Sequence, residues 1–71
     1  MISFTFGVMP SWEVFNAAFD ENVSGTFYKL DGDEFNAAQL YSIVKRLASS
    51  GDEEEADEAC AVLYTLGIEW I

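Results

Sequence analysis

The stretch DEEEADE, Asp52 to Glu58, puts six carboxylates into seven positions, and an apolar run, ACAVLYTLG, follows at once. Carboxylates at this density can do three kinds of chemistry. They can work as a matched acid–base pair, ligate a hard cation, or recognise a cationic surface. The first needs something to single out a pair, and nothing in the sequence separates two of the thirteen Asp and Glu from the rest. His is absent, which removes the commonest general base and every Ser–His or Cys–His nucleophile. There is no Gly-rich phosphate loop. Cys60 is the single cysteine, and its apolar and acidic neighbours disfavour a thiolate. The chain is therefore not expected to be an enzyme, and Cys60 is expected to be structural.

Cation ligation has one candidate segment, DENVSGTFYKLD, Asp20 to Asp31. It resembles the calcium loop of the EF-hand family. Asp20, Asn22 and Ser24 fall at loop positions one, three and five, Gly25 at six, Phe27 at eight and Asp31 at twelve. The resemblance implies a calcium site on Asp20, Asn22, Ser24 and Asp31, with a helix entering and a helix leaving. The sequence departs from the family in having Asp at position twelve, Gly32 next, and the strand formers TFYKL inside the loop. The same residues also read as a polar turn between a helix and a strand, with Gly25 supplying a positive φ.

Recognition of a cationic surface follows from the charge balance. Thirteen acids face only Lys29, Lys45 and Arg46, for a net charge of -10. Direct contact with nucleic acid or anionic lipid needs cations on the protein and is disfavoured, whereas attraction to a basic surface is favoured. The profile resembles that of small acidic phage-encoded inhibitors of restriction, CRISPR or transcription machinery. In such a role carboxylates stand in for phosphates and block a nucleic-acid groove. The expected partner is a basic, nucleic-acid-binding protein. The expected working surface is Asp52, Glu53, Glu54, Asp57 and Glu58, with Asp31, Asp33 and Glu34 as a second lobe. Two alternatives stand beside it: a single calcium-loop domain, and a structural subunit of a homo-oligomer, such as a homodimer, joined through ISFTF and IEWI.

The elements that must position these residues come from patterning. At 71 residues the chain makes one domain, and 51% hydrophobic with 15% aromatic content is too apolar for a disordered acidic tail. Ile2, Phe4, Phe6 and Val8 alternate as a half-buried strand does. Ser11 can cap a helix to about Asp20, with Trp12, Phe15 and Phe19 on one side. Thr26 to Leu30 reads as a second strand. DGDE, Asp31 to Glu34, reads as the acidic opening of the longest helix, with Ala37, Leu40, Tyr41, Val44, Leu47 and Ala48 on its inner stripe and Gly51 at its end. Phe35 would either staple that helix start to the preceding strand or stand exposed as an interface anchor. Asp52 caps a third helix, with Glu55 at capping-box spacing, and Ala56, Ala59, Cys60, Leu63 and Leu66 face inward. Glu54, Asp57 and Glu58 then face outward, with Ala61 and Thr65 below them. Gly67 ends this helix, and Trp70 of the IEWI tail returns to the core. The expectation is an α+β domain in the order β-α-β-α-α, a small two-stranded sheet with an antiparallel helix pair packed on it. One cysteine, no basic signal-like start and no apolar run of membrane length favour a soluble, cytoplasmic protein.

Overall fold

The computed structural model describes the backbone of residues 2–4 and 9–70 and the side chains of residues 9–69. The elements run β1 (Ile2–Phe4), α1 (Trp12–Asn22), β2 (Tyr28–Leu30), β3 (Asp33–Phe35), α2 (Ala37–Ser49), α3 (Glu53–Thr65) and β4 (Ile68–Trp70). The class is α+β, as the patterning indicates. Two short strands join the expected series, so there are two separate two-stranded sheets.

Ser11 caps α1, its hydroxyl accepting a hydrogen bond from Val14 N at 3.3 Å. Phe15, Ala18 and Phe19 are the buried face of that helix. Trp12 sits at its edge, 41% exposed. The Trp12 ring meets the edge of Tyr41 at 5.5 Å, and Phe15 meets Tyr41 at 5.0 Å. Tyr41 donates its hydroxyl to Pro10 O at 2.8 Å, which fixes the start of α1 against α2. At the other end Asn22 Nδ2 donates to Ala18 O at 2.9 Å and to Leu66 O at 2.8 Å, tying α1 to the turn that precedes β4.

DGDE does not open a helix. Asp31 and Gly32 both hold positive φ, 52° and 86°, the condition for a two-residue type I′ turn. They join β2 and β3 as an antiparallel hairpin in which Leu30 faces Asp33, Lys29 faces Glu34 and Tyr28 faces Phe35. The reason is burial. A strand places Tyr28, Leu30 and Phe35 half-buried against the core, whereas a helix begun at Asp33 would send Phe35 to the polar side. The expected strand at Thr26 starts at Tyr28. Helix α2 starts at Ala37 behind a full capping box. Gln39 N donates to Asn36 Oδ1 at 2.9 Å, and Asn36 N to Gln39 Oε1 at 3.0 Å.

Asp52 caps α3 as expected, its Oδ1 accepting from Glu54 N at 2.8 Å and Glu55 N at 3.3 Å. Among the described residues Glu55 does not return the bond, so this is a cap and not a box. Residues 50–52 alone separate α2 from α3, and the chain folds back so that, among the described residues, these two helices share the most extensive packing. Leu40 and Val44 of α2 meet Ala59, Val62 and Leu63 of α3 in one core with Phe15, Phe19, Leu66 and Ile68. Val62 belongs to that core, while Ala56 and Cys60 are half-buried at its margin. Gly67, at φ 82°, turns the chain into β4, where Ile68 is fully buried. Strand β4 pairs in parallel with β1, Ile2 opposite Ile68 and Phe4 opposite Trp70. The expected first strand through Val8 and the placement of the Trp70 side chain lie beyond the described residues. With a shortest Cα extent of 16 Å, the domain has room for two layers and the single core between them.

Candidate functional site

Helix α3 carries the acid run and divides it by function. Asp52, Glu53, Glu54 and Glu55 surround its N-terminus, where the helix dipole stabilises negative charge. Beyond the first turn that stabilisation fades. Glu54, Asp57 and Glu58 are exposed on the outer face, and so are Ala61, Tyr64 and Thr65, which continue the same stripe. Tyr64 is 63% exposed, the most open large hydrophobic side chain among the described residues. The outer face therefore runs from carboxylates at one end to an aromatic ring at the other, over about 15 Å of helix. No Lys or Arg lies in α3. Glu54 with Asp57, and Glu54 with Glu58, are like-charge pairs at i,i+3 and i,i+4, which weaken the helix.

The second acidic lobe lies on the hairpin. Glu34 stands opposite Lys29 across the β2–β3 ladder, an opposite-charge pair in direct register. Asp31 and Asp33 line a cleft of about 240 Å³ with Arg46 of α2 and Glu58 of α3. The hairpin acids and Glu58 thus line one cleft, and Arg46 lines it with them. Of the eight residues expected to form the surface, Glu34 stands opposite Lys29, Asp31, Asp33 and Glu58 share a cleft with Arg46, and for Asp52, Glu53, Glu54 and Asp57 helix α3 supplies no Lys or Arg.

The calcium-loop residues are distributed over three kinds of structure. Asp20 and Asn22 lie within α1, Ser24 in the bend after it, and Asp31 in the hairpin turn. The helix that the EF-hand resemblance implies after the loop is replaced by the β2–β3 hairpin. The Asn22 amide is taken up by Ala18 O and Leu66 O. Among the described residues no three His, Cys, Asp or Glu side chains converge as a metal site. The resemblance is one of residue types in a polar turn, not of the loop's framework.

Cys60 is a lone thiol, half-buried beside the core. Burial raises its pKa, and the charge of Asp57 raises it further. Both disfavour the thiolate.

A second cleft, of about 390 Å³, was not legible in the sequence. It lies between the open side of α1 and the start of α2, with Trp12, Asn16 and Asp20 along one wall and Asn36 and Ala38 along the other. Its only signal in sequence is that Trp12, Asn16 and Asp20 recur every four residues.

No protein family model, curated protein or solved structure matches this chain. Among the described residues no helix is long and apolar enough to cross a membrane.

Proposed function

We propose that this chain is a non-enzymatic acidic interaction protein whose α3 outer face docks on a basic surface of a nucleic-acid-binding partner. In its sharper form the docking is mimicry of the sugar–phosphate backbone, and the consequence is inhibition of the phage anti-defence type. The observation that carries the reading is the α3 stripe, where Glu54, Asp57 and Glu58 lack a cation on their own helix and lead into exposed Tyr64. Those three carboxylates fall within about 6 Å of helix axis, roughly one charge per 3 Å. A DNA strand presents one per about 3.4 Å of axis, so a groove lined for phosphates meets a similar density. Tyr64 adds what phosphate mimicry alone lacks, an amphipathic anchor of the kind that dominates interface energetics. The lone Cys60, unpaired and half-buried, fits a reducing compartment, and we place the encounter in the cytoplasm.

The test is capture of partners from a host lysate at low and high salt. Wild type and two variants serve as baits, the triple variant Glu54→Lys, Asp57→Lys, Glu58→Lys and the single variant Tyr64→Ala. The expected result is a basic protein retained at low salt by wild type, released as salt rises, lost with the triple variant and weakened with Tyr64→Ala. Retention of the same protein by the triple variant would sink the α3 reading.

A further inference from the structure

The cleft beside Trp12 has a composition that selects its ligand. Trp12 is held from two sides, stacked on Phe15 at 6.5 Å and set against the edge of Tyr41 at 5.5 Å, while 41% of it stays open. An indole face fixed in this way is the best side-chain platform for a cation. Asp20 lines the same cleft and no Lys or Arg does. The start of α2 also lines it, and a helix start attracts anions. Here, however, the Gln39 N–H is already bonded to Asn36, and an anion would meet Asp20 and a molecule of net charge -10. Charge complementarity therefore favours a cation.

Spacing defines the ligand further. Trp12 and Asp20 stand eight residues apart on α1, about 12 Å along its axis. An extended peptide advances about 3.3 Å per residue and returns to the same side every second residue, so positions i and i+4 span about 13 Å. A cleft of about 390 Å³ is at the small end of ligand sites. We propose that this cleft binds an extended basic peptide segment. One Arg or Lys lies on the Trp12 face, a second, four residues away, meets the Asp20 carboxylate, and the Asn16 and Asn36 amides serve the peptide between them. The site is separate from the α3 face and rests on the proposed function only in expecting a basic partner.

The probe is the peptide Ac-Arg-Gly-Ala-Gly-Arg-amide, titrated at low salt into the ¹⁵N-labelled protein. The expected result is saturable shifts at the Trp12 indole N–H, the Asn16 side-chain amide and Ala38. Asp20→Asn, an exposed change that leaves the core intact, weakens binding about threefold to tenfold. Trp12→Ala weakens it by a similar factor. Trp12→Phe, which retains a ring against Tyr41, retains part of the affinity and covers the case in which alanine disturbs the fold. Ac-Glu-Gly-Ala-Gly-Glu-amide gives no shifts at the cleft. The triple α3 variant still binds the basic peptide at Trp12, so loss of lysate capture by that variant bears on the α3 reading alone. Shifts confined to α3, equal binding of the acidic peptide, or unchanged affinity in both Asp20→Asn and Trp12→Phe would overturn the proposal.

Discussion

If the outer carboxylates of α3 serve a partner and not the fold, reversing one of them stabilises the protein while it weakens the encounter. Glu58 is the position to test. It lies beyond the first turn of α3, so the helix dipole contributes little there. Its helical neighbours toward the N-terminus are Glu54 at i−4 and Glu55 at i−3, two like-charge pairs that each destabilise by about 0.2–0.5 kcal/mol. Glu58→Lys converts both into attractive pairs with Glu on the N-terminal side, the better orientation, so the helical gain is at most about 1–2 kcal/mol. Against this stands the shared cleft, where Glu58 lies with Arg46. Losing that partly solvated attraction costs about 0–1 kcal/mol, and Asp31 and Asp33 in the same cleft receive the new lysine. The net expectation is about 0.5–1 kcal/mol of added stability. For a domain of this size that raises Tm by roughly 2–8 °C. Thermal unfolding followed by circular dichroism at low salt reads it directly. Repeating the scan near 1 M NaCl, where the Debye length is about 3 Å, should erase most of the difference. A lower Tm for Glu58→Lys at low salt, or a gain that survives high salt, would show that Glu58 is already compensated and that the repulsion argument is wrong.

Three further outcomes are expected. Asn36→Ala removes both halves of the α2 capping box and should cost about 1 kcal/mol, a fall in Tm of roughly 4–8 °C. Millimolar calcium should leave the Tm of wild type unchanged, because a hairpin follows the Asp20–Asp31 segment where a calcium loop needs its exiting helix; a clear rise that Asp20→Ala abolishes would restore the calcium reading. Cys60, with its pKa raised by burial and by Asp57, has less thiolate at pH 8 than an unstructured cysteine, so iodoacetamide should modify it more slowly when folded than in denaturant. Equal rates in both states would refute that.

The long helices were legible because their apolar residues recur at helical spacing over three turns or more, and only burial of Leu40, Val44 and Leu63 satisfies that pattern. The Asp52 cap was legible for the same reason, since a strong stripe fixes where its helix must begin. Asp31 was ambiguous, because Asp both caps helices and occupies type I′ turns. The Asp-Gly pair followed by Phe35 was the deciding signal, and acids in a first turn concealed it. Strand β4 carried no such signal. Three residues have too little periodicity, and their partner β1 lies more than sixty positions away in sequence. Helical spacing puts Trp12 on one side with Phe15 and Phe19, but at the first residue of α1 it lies where the core ends. The adjacency of Glu58 to the hairpin acids depends on how α3 packs, which no local pattern encodes.

The charge arrangement bears on whether solubility alone explains the acids. A net charge of magnitude about 2–8 already serves solubility in a small domain, and this chain carries -10. Solubility also sets no requirement on where the charges go. Two of the three cations lie by the hairpin acids: Lys29 stands opposite Glu34, and Arg46 lines a cleft with Asp31, Asp33 and Glu58 of α3. Helix α3 itself carries no Lys or Arg, although a lysine at any of several outer positions would relieve its repulsion, and Arg46 of α2 shares a cleft with its Glu58. The same stripe leaves Tyr64 in water at 63% exposure, where solubility would favour a polar residue. A carboxylate row with no cation on its own helix and an open aromatic ring each disfavour the isolated domain, and both sit on one face of one helix. A cationic partner with an apolar pocket would offset both at once, so the proposed docking rests on the outer face of α3 more than on the total charge.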